Sequence, residues 1–140
     1  MVEHTETSNM KTGPFKVAVL GGTGNTGKHF VRQAVDAGHN LRLLVRNASK
    51  VEPREHPKIE VVVGDATKPE DVANVVADVD VVVSCLGNVK RLMIMETSFN
   101  NILTAAAAQA KGPRCLFVTS IGCGGTSTII KWMLIMIGAT

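Results

Sequence analysis

The chain has 140 residues, of which 45% are hydrophobic and 19% are charged, as is typical of one globular domain with a substantial core. The formal net charge of +3 is small and scattered, which argues against a nucleic-acid partner. The 3 cysteines and 4 histidines do not have the spacing of metal ligands. We therefore expect no metal site, and we expect reduced cysteines in a cytoplasmic protein.

The two ends of the chain predict neither a signal peptide nor a membrane span. Residues 1–14 are mostly polar and lack the apolar core of a signal peptide, so we expect a flexible tail. The apolar segment 129–137 is interrupted by Lys131 and falls short of the roughly 20 residues that a spanning helix needs. We expect a buried helix there and no membrane partner.

The stretch 16–28 carries the strongest functional signal. Its apolar residues 17–20 predict a strand buried on both faces, and an amphipathic helix that ends at Gly38 follows the glycines. A strand, a glycine turn and a helix form the entry to a dinucleotide-binding unit, because the backbone can approach a pyrophosphate closely there. Two registers fit, G-x-G-x-x-G from Gly22 and G-x-x-G-x-x-G from Gly21, both continuing through Gly24 and Gly27. An ordinary turn without a nucleotide remains the alternative.

The remaining chain alternates predicted strands and helices. We predict strands at 41–45, 59–63, 79–83 and 115–119, and a long helix at 93–111. Another helix is predicted to begin after Thr67 as N-cap, with Pro69 and Glu70 in its first turn. This alternation predicts an α/β, Rossmann-type, doubly wound parallel sheet over residues 15–140, with strand order 3-2-1-4-5. Ligands are then expected beside strands one and four.

The end of the second predicted strand bears on the choice of cofactor. Arg46 lies about 20 residues beyond the glycines, where an acidic residue would favour NAD(H) and an arginine suits the 2′-phosphate of NADP(H). Lys50 is nearby, and no Asp or Glu lies between Leu41 and Val51. We therefore predict that NADP(H) is preferred over NAD(H), with a solvated surface arginine as the alternative.

Other candidate residues follow the later strands. Asp65 could accept a hydrogen bond from the adenine amino group, or it could belong to a turn that starts a helix. Gly87 could let the backbone pass close to the cofactor. The Ser120 hydroxyl could reach the nicotinamide or a substrate carbonyl as a catalytic group, although a turn serine is an alternative. Met93 and Met95, with Ile94 between them, could line the mouth of an apolar pocket, and helix packing also explains them.

Five segments occur in an order that resembles the atypical short-chain dehydrogenase/reductases, a group that includes NmrA-like proteins and the flavin reductases similar to biliverdin reductase B. They are residues 19–27, 43–47, 62–66, 84–88 and 118–122, and the resemblance extends from Phe15 to about Gly122. It implies that the pyrophosphate is held by Gly21, Thr23, Gly24, Asn25 and Thr26, and that the 2′-phosphate is held by Arg46. It also implies that the adenine is held by Asp65 and Ala66. The ribose and nicotinamide side would be lined by Leu86, Gly87 and Ser120.

The sequence departs from the wider superfamily in two respects. It contains no tyrosine, so the Tyr-x-x-x-Lys acid of typical members is absent. The sixth strand and the small substrate region of relatives are not found after the fifth strand, so we expect a truncated form. This form is expected to self-associate through the open sheet edge and segment 129–137.

Two functions remain open at this point. The first is an NADPH-dependent oxidoreductase that passes hydride to a flavin, a quinone or a similar small planar acceptor. Such acceptors do not need a dedicated tyrosine acid, because solvent can protonate the reduced product. The second is a non-catalytic NADP(H) sensor that binds a partner protein.

Overall fold

The computed structural model describes residues 13–87 and 92–118, with only the backbone described at residues 92 and 93. Within this part of the chain the strands are β1 (Lys16–Leu20), β2 (Asn40–Val45), β3 (Ile59–Val63), β4 (Val81–Ser84) and β5 (Arg114–Phe117). The helices are α1 (Asn25–Asp36), α2 (Pro69–Val76) and α3 (Leu92–Ala107), and a short 3-10 turn spans Ala48–Lys50.

The strands form one parallel sheet in the order β3-β2-β1-β4-β5, which confirms the predicted fold class and strand order. β1 lies at the centre, where Val19 pairs with Leu43 on one side and with Val83 on the other. The chain leaves β1 toward β2 and β3, and later returns to the opposite side of β1 as β4. The carboxyl ends of β1 and β4 therefore flank the switch point at which ligands bind in such sheets.

The two faces of the sheet have separate apolar cores. Alternate residues of β1 point to opposite faces, so this strand is buried on both sides as its sequence predicts. The core on the α1 face contains Val17, Val19, Val31, Ala34, Val35, Leu41, Leu43, Val45, Val51 and Val83. The core on the α2 and α3 face contains Ala18, Leu20, Leu44, Val72, Val75, Val76, Val79, Val82, Ile102 and Ala105.

The first helix ends at Asp36, and the predicted stop residue Gly38 lies directly after its C-cap Ala37. The backbone of Gly38 has a φ of 90°, a left-handed conformation that glycine adopts without the steric cost of a Cβ. Its amide donates to the Val35 carbonyl at 2.9 Å. This tight ending sends the chain directly back into β2.

The predicted cap of α2 at Thr67 is wrong. The N-cap residue is Lys68, and no side chain caps the helix, because the Thr67 hydroxyl donates to Asp65 Oδ1 at 2.8 Å instead. Pro69 does occupy the first turn, as predicted.

Three other predicted boundaries shift by a few residues. β4 begins at Val81 rather than at residue 79, because Asp78 has a φ of 58° and the chain is still turning there. The long helix covers Leu92–Ala107 rather than residues 93–111. β5 covers Arg114–Phe117 rather than residues 115–119, and residue 119 lies outside the described residues.

Arg42 of β2 fixes the carboxyl end of α2. Its Nη1 donates to the Ala77 carbonyl at 2.8 Å, and its Nε donates to Glu60 Oε2 at 2.9 Å. Carbonyls at the end of a helix lack partners within the helix, so this guanidinium satisfies one that would otherwise lie unpaired near the core. α2 is thereby held against β2, with its amino end beside the carboxyl edge of the sheet.

Two further expectations concern membranes and cysteines. Among the helices of the described ranges, none is long and apolar enough to span a membrane. Cys85 and Cys115 are free and half-buried, and burial raises the pKa of both thiols. Cys123, the apolar segment 129–137 and residues 1–12 lie outside the described residues.

Candidate functional site

A cavity of about 590 Å³ opens at the carboxyl edge of the sheet. The ends of β1, β2, β3 and β4 contribute to it, together with the first turns of α3. Its lining residues are Leu20, Gly21, Thr23, Leu44, Val45, Arg46, Gly64, Asp65, Ala66, Thr67, Leu86, Gly87, Ile94 and Met95. The cavity thus lies at the switch point between β1 and β4, where the topology places a ligand site.

Gly21 allows the turn after β1 to pack against the end of β4. Its φ is 77°, and a Cβ at this position would lie 2.8 Å from the backbone carbon of Cys85 and from the nitrogen of Leu86. Both the conformation and the space exclude other residues. Of the two possible registers, the backbone requires a glycine at the first position of the one that begins at Gly21, G-x-x-G-x-x-G.

The other glycines of the motif have different roles. A Cβ on Gly27 would lie 2.8 Å from the carbonyl carbon of Gly21, so Gly27 lets α1 approach the turn. A Cβ on Gly22 would lie 3.2 Å from Val31 Cγ2, a tight contact with a side chain. Gly24 has an ordinary φ of −78°, and the nearest atom to its Cβ would be the Gly21 oxygen at 3.5 Å. The protein itself therefore leaves room beside Gly24, which suits the approach of an external group.

The amino end of α1 can accept an anion. Gly24 is the N-cap, no side chain caps the helix, and its first turn holds no acidic residue. Thr23, Asn25 and Thr26 are exposed beside it. The first amides of a helix lack intrahelical acceptors, and the helix dipole favours negative charge near them. This uncapped end next to the cavity fits a phosphate group.

Arg46 supplies a positive charge at the end of β2. Its side chain is exposed and lines the cavity, and it forms no hydrogen bond or ion pair with the part of the chain that the structure describes. Lys50 is exposed at the end of the 3-10 turn and does not line the cavity. Asp65 is the one acidic residue among the described residues of the lining. The guanidinium is therefore available for an anionic group.

Asp65 shapes the turn before α2, which is one of the two roles that its sequence position left open. Its Oδ1 accepts hydrogen bonds from the Thr67 amide at 2.9 Å and the Thr67 hydroxyl at 2.8 Å, so it does shape the turn before α2. These two bonds, followed by the positive charges of Arg46 and Lys68, hold the pKa of the Asp65 carboxyl below its ordinary value. The Oδ2 atom forms no hydrogen bond with the residues described, and this leaves an ionised acceptor at the cavity wall.

The remaining predicted residues fall into two groups. Ala66, Leu86 and Gly87 line the cavity, and a Cβ on Gly87 would meet nothing within 4 Å. Ser120 lies outside the described residues. Gly64 and Thr67 also line the cavity, and the sequence did not single them out for this. Their adjacency to Asp65 at the end of β3 was the signal that could have identified them.

The family comparison agrees with the chemistry of this site. A family model described as NAD(P)H-binding matches residues 21–139, and the chain belongs to this family. The match begins at the first glycine of the turn and includes every residue that lines the cavity except Leu20. The glycine turn, the uncapped helix end and Arg46 are thus parts of a domain that binds a nicotinamide cofactor.

Curated relatives include several reductases. The chain is 30% identical over 115 residues to eugenol synthase 1 of Petunia hybrida, with 76% of this chain and 35% of that protein covered. It is 32% identical over 91 residues to isoflavone reductase homolog P3 of Arabidopsis thaliana, covering 59% and 29%. It is also 37% identical over 68 residues to the photosystem II assembly factor Ycf39 of Synechocystis, covering 49% and 21%. These relatives confirm the resemblance to the atypical short-chain dehydrogenase/reductases at the level of the group. The matched regions span between about a fifth and a third of each of these relatives.

Solved structures share the fold. Uronate dehydrogenase from Agrobacterium tumefaciens, in a mutant complexed with NAD, matches with a TM-score of 0.64 at 23% identity and covers 77% of this chain and 42% of that one. The oxidoreductase ylbE from Lactococcus lactis matches with a TM-score of 0.66 at 20% identity, covering 76% and 48%. At these sequence identities the comparison shows that both proteins share the fold of this chain.

Proposed function

We propose that this chain binds NADP(H) in preference to NAD(H) and acts in a reductase that passes hydride to a flavin, a quinone or a similar planar acceptor. In this proposal the turn 21–26 holds the pyrophosphate, Arg46 holds the 2′-phosphate, and Asp65 with Ala66 faces the adenine. Leu86, Gly87 and Ser120 face the ribose and the nicotinamide. Lys50 adds positive charge near the 2′-phosphate without touching the cavity.

The position of Arg46 carries the choice of NADP(H). Arg46 lines the cavity next to the ends of β2 and β3, and a 2′-phosphate could accept two parallel hydrogen bonds from its guanidinium. A carboxylate at this place would instead accept bonds from a free 2′-hydroxyl. The one acidic residue of the described lining, Asp65, follows β3 rather than β2, so it does not occupy the place of that carboxylate.

The reductase part of the proposal is supported by the curated relatives and by the composition. Phenylcoumaran benzylic ether reductase 1 of Arabidopsis thaliana is 31% identical over 85 residues. When bound, the cofactor supplies hydride from its nicotinamide ring. These 140 residues contain no tyrosine, and we therefore propose for them an acceptor whose reduced form is protonated by solvent. The role of the protein is then mainly to position the nicotinamide ring against the acceptor.

A second function is favoured by one comparison. The relative from Synechocystis is named as an assembly factor rather than as an enzyme, so we also propose an NADP(H)-binding protein that regulates or assembles a partner. In that case the cavity holds the nucleotide without turnover. Both functions require the same nucleotide site, and they differ in whether an acceptor is reduced.

Steady-state oxidation of NADPH separates the two functions. We expect the 140-residue protein to oxidise NADPH slowly in the presence of a free flavin or a small quinone, and to oxidise NADH more slowly still. The assay follows the loss of reduced nicotinamide absorbance, with Arg46→Ala as a variant and buffer with acceptor as a blank. Tight NADPH binding without any acceptor-dependent oxidation would contradict the reductase and favour the sensor.

We further propose that the chain self-associates through the edge at β5. Among the described strands β5 pairs only with β4, and Leu116 and Val118 are 56% and 44% exposed. An unpaired strand edge with apolar side chains favours contact with another chain. We expect light scattering to show concentration-dependent dimers or larger species that Leu116→Lys reduces. Because β3 is the other edge of the sheet and its Val63 is 64% exposed, Val63→Lys tests which edge makes the contact, and we expect it to leave the association unchanged. A monomer at all concentrations would contradict this proposal.

A further inference from the structure

The loop 64–67 forms the wall of the cavity beyond β3. All four of its residues, from Gly64 to Thr67, line the cavity. Asp65 and Ala66 are the residues proposed to face the adenine, so the shape of this loop decides where their polar atoms lie. Two side chains, Asp71 of α2 and Asn101 of α3, form hydrogen bonds to the backbone of this loop. Neither of them lines the cavity.

Asp71 of α2 holds the first half of the loop. Its Oδ2 accepts a hydrogen bond from the Asp65 amide at 2.8 Å. A Cβ on Gly64 would lie 2.9 Å from both Cγ and Oδ2 of Asp71, so the absence of a side chain at Gly64 lets the carboxylate reach the loop. Asp71 lies in the first turn of α2, where the helix dipole favours a negative charge. The carboxylate thereby fixes the backbone from which the Asp65 side chain extends.

Asn101 of α3 holds the second half of the loop. Its Nδ2 donates to the Ala66 carbonyl at 3.0 Å across 35 residues of sequence, in a partly buried position. The same helix contributes Ile94 and Met95 to the cavity lining. The hydrogen bond therefore connects the wall of the cavity made by the loop with the wall made by α3.

We propose that Asp71 and Asn101 are positioning residues for the adenine end of the nucleotide. Asp71 orients Asp65 so that the free Oδ2 faces the cavity, and Asn101 sets the depth of the loop at Ala66. This inference rests on the proposed nucleotide site and adds two residues that act on it through the backbone. It predicts that their loss weakens binding of the adenine half of the cofactor and spares the nicotinamide half.

The experiment measures the binding of two half-ligands to the full 140-residue protein. The probes are 2′,5′-ADP for the adenine half and reduced nicotinamide mononucleotide for the other half. For Asp71→Ala and for Asn101→Leu we expect binding of 2′,5′-ADP to weaken about tenfold, the size of one lost hydrogen bond. We expect the affinity for the mononucleotide to stay unchanged. Asp71→Asn keeps an oxygen acceptor and is expected to restore most of the affinity.

Matched controls lie next to each position. Glu70 is exposed in the same turn of α2 and Asn100 is exposed on α3, and we expect Glu70→Ala and Asn100→Ala to bind both probes normally. Unchanged binding of 2′,5′-ADP to both the Asp71→Ala and the Asn101→Leu variants would overturn the inference. An equal loss for both probes would also overturn it, because that result indicates general damage to the fold. Binding of 2′,5′-ADP and NADPH to the unaltered protein is a separate test of the proposed nucleotide site. If both bind, the site is supported even when the variants show that Asp71 and Asn101 do not position the adenine half.

Discussion

Replacing Arg46 with alanine is expected to remove most of the difference in affinity between NADPH and NADH. Arg46 lines the cavity and has no hydrogen-bond or ion-pair partner in the described part of the protein, so its charge is available to the 2′-phosphate. Charge-assisted hydrogen bonds of this kind contribute about 1–3 kcal/mol. We expect Arg46→Ala to weaken NADPH binding by that amount and to leave NADH binding nearly unchanged. Titration of both nucleotides by fluorescence or calorimetry measures the effect.

Arg54 provides the control for the loss of a positive charge. It lies in the same connection between β2 and β3, its Nη2 donates to the Ser49 carbonyl at 3.4 Å, and it does not line the cavity. Arg54→Ala is expected to retain the preference for NADPH, because long-range attraction between exposed charges is screened by salt. The assignment of Arg46 to the 2′-phosphate is wrong if Arg46→Ala and Arg54→Ala reduce the preference equally.

Replacing Gly24 with valine is expected to abolish nucleotide binding while the fold is kept. The φ of −78° at Gly24 is open to any residue, and a Cβ there would meet only the Gly21 oxygen at 3.5 Å. The strain that a positive φ would add is therefore absent, and the cost to stability is expected to be about 1 kcal/mol for a changed N-cap. The valine methyls would instead occupy the space that we assign to the pyrophosphate. NADPH titration and thermal unfolding of the same sample measure the two effects.

Replacing Gly21, in contrast to Gly24, is expected to destabilise the fold. A Cβ at Gly21 would be placed 2.8 Å from backbone atoms of Cys85 and Leu86, at a φ of 77°. Gly21→Ala is therefore expected to lower the free energy of unfolding by roughly 2–4 kcal/mol. The binding role of the motif is tested by Gly24→Val. If this variant still binds NADPH with the affinity of the unaltered protein, the glycine motif forms a turn and does not contact the nucleotide.

The sheet and its order could be predicted because local patterns dominate them. The apolar residues of β1 run directly into glycines, and β3 has the predicted bounds Ile59–Val63. Parallel strands joined by right-handed crossovers then leave few possible orders. The same reasoning located the cavity at the carboxyl edge, together with Arg46, Asp65 and Gly87 in its lining.

Contacts between distant parts of the chain could not be predicted in the same way. The sequence left the glycine register open, because the need for Gly21 comes from its contact with the end of β4. The N-cap prediction for Thr67 failed for a local reason, because its hydroxyl donates to Asp65 Oδ1 two residues earlier. Asp71 and Asn101 gave no motif, since both bind backbone atoms of a loop. Such bonds require only an acceptor or a donor at the right place in space.

Calorimetric titration of the unaltered 140-residue chain with NADPH and with NADH tests the central claim most directly. The structure has one cavity at the switch point of its described sheet, and Arg46 in its lining has no hydrogen-bond or ion-pair partner among the described residues. We predict one nucleotide bound per chain, with NADPH held more tightly by about 1–3 kcal/mol, or roughly five- to 150-fold. Absence of binding, or equal affinities for the two nucleotides, would contradict an NADP(H) site at this edge.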